Sequence, residues 1–356
     1  MKILITSKQR PYYGGAATNA YELTKFLRNN KINTCCLYFN NDDVDVDPDN
    51  IEGVFKVNHN SKKKEIISED IKNNQIDIIV QYLNGYPDIV LAFNYYVPII
   101  SKNTFPMSKV IYMAIGSPIL TLGNNCPIKN NISVQKFLSN DIDIDKNNKF
   151  YKLEKESIQI SDYILADHGS LLVTVLKKIY NITNNISWID YSSLIIKNKV
   201  NNSITKNTVY DKKYDLIIVA SNWDRLVKNK TFCKKVFEKF PNLNKLVIGN
   251  NSNYFKSISN TTIYELLPYD KLLIFLSQSK LLLIPSFFES GPNILIEALE
   301  LNCKVLSSYN IGKYHLLLPQ YLCKDVYDII EWENKIISIL NNNSNQFIKF
   351  LNHRLI

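Results

Sequence analysis

The residues of this chain best suited to chemistry lie close together in its second half. Within segment 280–304, KLLLIPSFFESGPNILIEALELNCK, Glu289 and Glu297 are spaced as Glu-x7-Glu, with a Gly-Pro pair between them. Proline is favoured at the first position of a helix, so Pro292 is the predicted first helical residue, and the helical pattern that follows over 293–301 contains Glu297. The first turn of such a helix offers unpaired N–H groups and the positive end of the helix dipole, which together bind anions. Carboxylates beside an anion site suit a ligand that carries both hydroxyls and phosphate.

The flanking residues predict a buried strand on each side of this helix. The apolar run 281–284 has the pattern of a parallel strand covered on both faces, and 304–308 predicts the next strand. Ligands of open α/β sheets bind outside the carboxyl ends of the strands, so this order places both glutamates beside a ligand site. A nucleotide sugar has the required hydroxyls and phosphates. The alternative is an ordinary strand-turn-helix whose acids lie on a solvated surface by chance.

The segment 285–308, PSFFESGPNILIEALELNCKVLSS, resembles the Glu-x7-Glu signature of the family 4 retaining glycosyltransferases, also called glycosyl transferases group 1. The resemblance implies the GT-B fold, an α/β fold of two Rossmann-like domains whose parallel sheets face each other across a central cleft. It also implies that Glu297 binds ribose hydroxyls of the donor and that Glu289 binds and orients the transferred sugar. The donor contacts that it assigns to the start of the helix are Gly291, Pro292 and Asn293.

Basic residues follow the first predicted strand of the second half, 214–220. In the family, an arginine and a lysine after this strand bind the donor diphosphate; Arg225 and Lys228 match them, with Asn229 in place of a glycine. Lys230 is an alternative for the lysine. Fixed cations here would stabilise the negative charge that builds on the leaving phosphate. Cations are unfavourable at the start of a helix, which favours an anion between them over the alternative of a solvated basic surface.

The first half of the chain predicts a doubly wound sheet. The predicted strands are 2–6, 34–39, 76–81 and 109–114. After the first strand, Gly14 and Gly15 form a predicted turn ahead of a helix over 17–29. Such a turn lets the backbone approach a phosphate closely, although a simple tight turn explains it equally well. In the family that the sequence resembles, this loop faces the donor diphosphate and the acceptor.

Three further residues are candidates for contact with the sugar or the acceptor. Gly116 and Ser117 follow the strand 109–114, near which many relatives carry a histidine that contacts the sugar. The matching residues here, 114–115, include no histidine, and hydrogen bonds from the backbone of Gly116 and the hydroxyl of Ser117 would replace it. His168 also follows a predicted strand, although a histidine at such a place is more often a local hydrogen-bonding residue.

The length of 356 residues predicts two domains, because it exceeds one ordinary hydrophobic core. An amino-terminal Rossmann-like domain on the acceptor side covers 1–200, and the polar stretch 197–212 is the predicted linker. The carboxy-terminal Rossmann-like domain, 213–345, would bind the nucleotide sugar. The last segment, 346–356, is expected to pack back on the first domain, as the resemblance implies.

The composition is that of a folded globular protein, with 46% hydrophobic and 21% charged residues. The formal charge of +9 suits an anionic partner such as a nucleotide diphosphate, an acidic glycan or lipid headgroups, although a compositional bias explains it as well. No segment is basic and aromatic enough to predict nucleic-acid binding. The six scattered cysteines predict reduced core residues. With no signal-peptide pattern and no spanning apolar run, we expect a cytoplasmic protein, with peripheral membrane contact as an alternative.

Two acidic runs raise the question of a metal site. Asp-x-Asp patterns occur in 42–49 and 141–145. Neither run lies at the end of a convincing buried strand that is followed by a nucleotide-binding loop, and neither has the Gly and terminal Glu of a calcium loop. Both runs therefore predict acidic surface loops without a metal.

Together these residues predict a retaining, metal-independent glycosyltransferase with no cofactor beyond its nucleotide-sugar substrate. It would move a hexose-like sugar to a glycan, lipid or protein acceptor, with catalytic roles for Glu289, Arg225 and Lys228. One alternative is a catalytically weak or inactive GT-B module that binds a nucleotide sugar or glycan, which the missing histidine favours. Another is a GT-B nucleotide-sugar epimerase, which uses the same ligand.

Overall fold

The computed structural model describes residues 1–8, 15–40, 52–58, 64–121, 126–130, 132–167, 169–203 and 210–342. The chain divides into two compact units, which we call unit 1 (1–123 with 143–195) and unit 2 (124–142 with 196–356). Segment 124–142 thus interrupts unit 1 in sequence but belongs to unit 2 in the fold. Four of the predictions fall outside the described residues, namely those for Gly14, 42–49, His168 and 346–356.

Unit 1 is built on a parallel, doubly wound sheet. Its strands are β1 Lys2–Ser7, β2 Asn33–Asn40, β3 Val54–Asn58, β4 Ile89–Phe93, β5 Lys109–Ala114, β6 Tyr163–Asp167 and β7 Ile186–Ile189. The α-helices along this part of the chain are α1 Gly15–Asn29, α2 Lys64–Asn74, α3 Ile76–Tyr82, α4 Val97–Thr104, α5 Pro118–Thr121, α6 Val134–Ser139, α7 Lys149–Ile160 and α8 Ser170–Tyr180. The strand order is β3-β2-β1-β4-β5-β6-β7, so the chain builds outward from β1 and then from β4 in the opposite direction.

One predicted strand of unit 1 is wrong. Residues 76–81 belong to helix α3, in which the buried Ile79 is followed by the buried Leu83. A short apolar run fits a strand or a buried helix equally well, and burial at the i, i+4 spacing is typical of a helix. The strand between β1 and β5 is instead β4, which the sequence analysis did not identify. The predicted strands 2–6, 34–39 and 109–114 are confirmed.

Unit 2 contains a second parallel sheet of the same kind. Its strands are β8 Tyr214–Asn222, β9 Lys245–Asn250, β10 Thr261–Tyr264, β11 Ser279–Ile284, β12 Lys304–Ser308 and β13 Leu322–Cys323. The α-helices from 191 onwards are α9 Tyr191–Ser203, α10 Lys230–Glu238, α11 Tyr269–Ser277, α12 Asn293–Glu300 and α13 Ile329–Asn341. The order β10-β9-β8-β11-β12-β13 places the reversal of direction between β8 and β11.

The predicted linker 197–212 is helical at its start. Helix α9 continues to Ser203, and its Ile196 and Val200 are buried in the core of unit 2. These two residues lie on one face of the helix, a pattern that the many polar neighbours obscured in the sequence. Residues 204–209 lie outside the described part of the chain.

Strand β11 lies at the centre of the core of unit 2. Its residues 281–284 are buried, and they pair with β8 on one side and β12 on the other. A strand covered on both faces has no alternation of apolar and polar residues, which explains the continuous Leu-Leu-Leu-Ile run. All six cysteines are buried, and none forms a disulfide.

Candidate functional site

The residues of unit 2 predicted to bind the donor lie after the carboxyl ends of β8 and β11. These neighbouring strands flank the point where the strand order reverses, which is where doubly wound sheets bind their ligands. One loop, 223–229, leaves β8, and another, 285–292, leaves β11. The two loops are joined by a backbone hydrogen bond, in which the Phe287 N–H donates to the carbonyl oxygen of Val227 at 2.9 Å.

An ion pair between Lys228 and Glu289 also joins the two loops. The two side chains are 13% and 14% exposed, so the pair is partly shielded from water. The Ser286 hydroxyl donates to the same carboxylate oxygen of Glu289 at 3.2 Å. The structure therefore brings together two of the three residues to which the sequence analysis gave catalytic roles.

Asn229 occupies the position after Lys228 for which the resembled family pattern has a glycine. Its φ of 53° and ψ of 47° lie in the left-handed region, which asparagine tolerates better than most residues. Its side-chain amide also donates to the carbonyl oxygen of Pro285 at 3.1 Å. Asn229 thus provides the turn that a glycine would provide, and it adds a bond between the two loops.

The main chain of Glu289 is held by the segment that follows β12. The Glu289 N–H donates to the carbonyl oxygen of Asn310 at 3.1 Å, and the Glu289 carbonyl accepts from the Gly312 N–H at 2.9 Å. These two bonds make a parallel bridge between Glu289 and Ile311. The backbone of the first glutamate is therefore held through both its N–H and its carbonyl group.

Glu297 lies inside helix α12, as predicted, and is only 6% exposed. Burial raises the pKa of this carboxyl group, while a hydrogen bond from Tyr269 and the positive charges of Lys199 and Lys313 lower it. Lys313 is itself fully buried. A buried carboxylate among cations and a hydroxyl is able to accept further hydrogen bonds from a ligand.

Lys313 was missed by the sequence analysis. Only the fold shows that it is buried and that its charge acts on Glu297, because a single lysine in a loop forms no pattern with the signature. The preceding residue, Gly312, bonds to the main chain of Glu289. The segment after β12 therefore connects the two glutamates of the signature.

Helix α12 begins at Asn293, and Pro292 is its N-cap residue, not its first helical residue as predicted. Pro292 has an extended ψ of 119°, which excludes it from the helix. The side chain of Pro292 makes no capping hydrogen bond. Gly291 lies in the loop just before it, so the predicted donor contacts occupy the turn between Glu289 and the helix.

The other two candidate cations have different surroundings. Arg225 is exposed and precedes the short 3-10 turn Leu226–Lys228. Lys230 is paired with Asp224 at 2.6 Å, and its ammonium lies 5.0 Å from the centre of the Tyr254 ring. The geometry favours Lys228 over Lys230 as the donor lysine, because Lys228 lies beside Glu289.

The structure also describes three of the predicted site residues in unit 1, namely Gly15, Gly116 and Ser117. Gly15 is the first residue of helix α1, not part of a turn. Ser117 is 1% exposed, and its hydroxyl donates to the Glu154 carboxylate at 3.2 Å, so this hydroxyl is used within the unit. Gly116 has open space where a side chain would begin.

Glu154 is the centre of a buried polar cluster in unit 1. Its carboxylate also accepts hydrogen bonds from the Tyr180 hydroxyl at 2.6 Å and the Tyr112 hydroxyl at 2.9 Å. Burial raises the pKa of Glu154 to about 7, although these hydrogen bonds lower it. The cluster ties the end of β5 to helices α7 and α8.

A separate groove of about 780 Å³ lies on unit 2 beside helix α10. Its apolar lining includes Leu226, Phe232, Phe287 and Tyr327. Neither glutamate of the signature lines it. Among the described residues, no group of three or more His, Cys, Asp or Glu side chains is arranged to hold a metal ion. In the same part of the chain, no helix is long and apolar enough to cross a membrane.

Comparison with solved structures shows which fold this is. Neither a protein-family model nor a curated protein sequence matches the chain. Sucrose-phosphate synthase from Thermosynechococcus elongatus superposes with a TM-score of 0.68 at 13% identity, over 98% of this chain and 92% of that one. HepE from Anabaena, in complex with UDP-glucose, gives 0.63 at 11% identity, over 100% and 94%. The lipopolysaccharide outer core galactosyltransferase WaaB gives 0.63 at 15% identity, over 99% and 95%.

These structures are GT-B glycosyltransferases, and this chain has their fold, an α/β fold with two parallel sheets. The predicted fold class is therefore confirmed for its α/β architecture and its two parallel sheets. Identities this low show the fold alone, so the activity has to be argued from the residues of the site.

Proposed function

We propose that the chain is a retaining, metal-independent glycosyltransferase whose unit 2 holds a nucleotide-sugar donor. The observation that carries the proposal is the Lys228–Glu289 ion pair, which lies at the carboxyl ends of β8 and β11, where the strand order reverses. A cation and an acid at this place match the two halves of the donor, a diphosphate and a sugar. The shared fold with HepE, which was solved with UDP-glucose, makes a uridine nucleotide sugar the first donor to test.

Each residue of the site has a separate role in this proposal. Glu297 accepts hydrogen bonds from the ribose hydroxyls, each worth about 1.5–3 kcal/mol to a charged group. Glu289 binds a hydroxyl of the transferred sugar and orients it. Lys228 and Arg225 stabilise the diphosphate as the glycosidic bond breaks, since negative charge on the phosphate is greatest at that point. The turn at 291–293 contacts the sugar or the phosphate.

The reaction retains the anomeric configuration. The acceptor attacks from the face that the diphosphate leaves, and the departing phosphate helps to remove the acceptor proton. Lys228, Arg225 and the N-terminus of α12 supply the positive field at the leaving group, a task that a bound metal performs in other enzymes. Among the described residues of the site, none requires a mechanism other than this one.

Calorimetric titration with UDP-glucose, GDP-mannose and ADP-glucose tests donor binding. We expect one of these to bind the wild-type protein, and Glu297→Gln to weaken that binding by about tenfold or more, because an amide is a poorer acceptor for ribose hydroxyls. Equal affinity of wild type and variant would refute the role of Glu297. A wild type that binds no donor would refute the proposal.

Product analysis with glycan, lipid and peptide acceptors then distinguishes the reaction types. Sugar on the acceptor, with the anomeric configuration of the donor, supports the retaining transferase. Epimerised donor points to an epimerase, and binding without turnover points to an inactive module. EDTA is expected to leave the transfer rate unchanged; a rate that EDTA abolishes and manganese restores would contradict metal independence.

A further inference from the structure

Helix α6 contacts one loop of the candidate donor site, 285–292, and the segment that follows β12. It belongs to segment 124–142, which interrupts unit 1 in sequence and folds with unit 2. The Val134 N–H donates to the carbonyl oxygen of Phe287 at 3.0 Å, two residues before Glu289. Val134 is 1% exposed, so this contact is closed to water.

Gln135 makes two hydrogen bonds to the segment that follows β12. Its side-chain amide donates to the carbonyl oxygen of Tyr309 at 2.7 Å, and its backbone N–H donates to the Asn310 side-chain oxygen at 3.1 Å. Asn310 is 1% exposed, and its side-chain amide donates to the Ser308 hydroxyl at 3.2 Å. The orientation of Asn310 is therefore fixed from both ends of its side chain.

Asn310 passes this restraint to the first glutamate of the signature. Its carbonyl oxygen accepts the hydrogen bond from the Glu289 N–H, and the Gly312 N–H completes the bridge. A continuous chain of hydrogen bonds thus leads from Gln135 through Asn310 to the backbone of Glu289. An acid that must hold one sugar hydroxyl has to be placed within about 0.5 Å, which a fixed backbone provides.

We propose that Gln135 is a positioning residue for the sugar half of the donor site. Through Tyr309 and Asn310 it fixes the backbone of Glu289, and Glu289 in turn orients the sugar to be transferred. The inference deepens the proposed function and rests on it for the identity of the ligand. The hydrogen-bond chain itself does not depend on any ligand.

Gln135→Glu tests the positioning role with a change of almost no volume. The variant loses the amide donor and sets a carboxylate against the Tyr309 carbonyl oxygen, so the bond to Tyr309 is lost while the backbone bond from Gln135 to Asn310 remains. The matched control is Gln320→Glu, the same change at an exposed position of unit 2. Gln135→Ala removes the amide without adding a charge and should act in the same direction.

Two measurements on the whole chain test whether Gln135 positions Glu289. First, amide hydrogen exchange at Glu289 and Gly312 should become about tenfold faster in Gln135→Glu and stay unchanged in Gln320→Glu. Second, calorimetry should show about tenfold weaker binding of the nucleotide sugar but unchanged binding of the nucleoside diphosphate alone, because Glu289 faces the sugar and not the nucleotide.

Three results would overturn the inference. These are unchanged exchange at Glu289 and Gly312, equal losses for the nucleotide sugar and the diphosphate, or global unfolding of both Gln135 variants. The second and third would mean that the contact is merely structural. If the wild type binds no nucleotide sugar, the proposed function fails, and the exchange measurement still decides whether Gln135 fixes Glu289.

Discussion

Among the predicted contacts to the donor diphosphate, Lys228 is the one that the structure places beside Glu289. It forms an ion pair with Glu289, and the diphosphate of the proposed donor would be a second anionic partner. A lysine held at the start of the site by a carboxylate is already oriented, so little side-chain entropy is lost when it binds phosphate. Lys230, by contrast, is paired with Asp224, which is 58% exposed.

We expect Lys228→Met to weaken donor binding by about 10- to 100-fold, the value of a charge-assisted hydrogen bond to phosphate. Lys230→Met is the matched control and should change the affinity by less than about threefold, because exposed ion pairs contribute little. Calorimetric titration with the nucleotide sugar that binds the wild type measures both affinities. A larger effect at Lys230 than at Lys228 would transfer the role of the donor lysine to Lys230.

Glu154 gives unit 1 a dependence of stability on pH. Its pKa is about 7 in the folded chain, against an ordinary value of 4.5. The folded state therefore binds the proton more tightly than the unfolded state, and this stabilisation is complete below pH 4.5 and lost as the pH rises to about 7. Across this pH range the contribution of Glu154 to the free energy of unfolding decreases by about 3 kcal/mol at most.

Glu154→Gln should remove this slope, because an amide does not titrate; its oxygen still accepts hydrogen bonds, and its NH2 group donates to a hydroxyl oxygen where the second carboxylate oxygen accepted. Urea unfolding followed between pH 5 and pH 8 measures the effect, with Glu156→Gln, an exposed change on the same helix, as the control. An unchanged pH slope in Glu154→Gln would show that other groups control the stability of the unit in this range.

At the level of elements, β8 and β9 approach each other unusually closely at Gly249. Gly249 has a φ of +135°, and a Cβ atom there would lie 1.8 Å from the carbonyl oxygen of Ala220. The pairing of the two strands shifts register between Val219 and Asn222 at the same place. The end of β8, from which the loop with Lys228 leaves, depends on this contact.

Gly249→Ala is therefore expected to destabilise unit 2 by at least about 3 kcal/mol, because both the backbone angle and the contact are unfavourable. Gly116→Ala is the control: no atom lies within 4 Å of the added group, and its stability should stay within about 1 kcal/mol of wild type. Guanidinium unfolding measures both. A Gly249→Ala protein as stable as wild type would mean that the strands separate at little cost.

The elements also show how far the sequence alone could lead. The signature helix and strand β12 were predictable because apolar periodicity, the Gly-Pro pair and the two acids all agree. Strand β4 was not, since 76–81 has the same apolar character and lies closer to the expected spacing. Asn229 replaces a glycine in a left-handed turn, which no spacing rule reveals. Lys313 and Gln135 act through contacts between segments far apart in sequence, and such contacts have no local pattern.

At the scale of the whole molecule, unit 2 consists of two separate pieces of chain. A fragment that begins at residue 196 would lack the contacts of Val134 and Gln135 with the loops after β11 and β12. Three lost hydrogen bonds at about 1 kcal/mol each, together with the lost burial of Ile128, Val134 and Phe137, make the fragment at least about 3 kcal/mol less stable than the complete unit. A peptide of residues 124–142 should raise its melting temperature, which circular dichroism measures. A fragment that gains nothing from the peptide, compared with a scrambled peptide, would show that the segment is dispensable.

The interrupted order of unit 2 has a consequence for how the protein is made. The ribosome delivers segment 124–142 long before the loops at 285–292 and 309–312 that receive it. Domains of nascent chains commonly fold from the amino terminus as they emerge, but here the early piece waits for both of its contact loops while about 170 further residues, 143 to 312, are translated. Completion of the candidate site is thereby delayed until residue 312 has been translated, and products truncated before that point would leave the helix around Gln135 without the loops that it contacts.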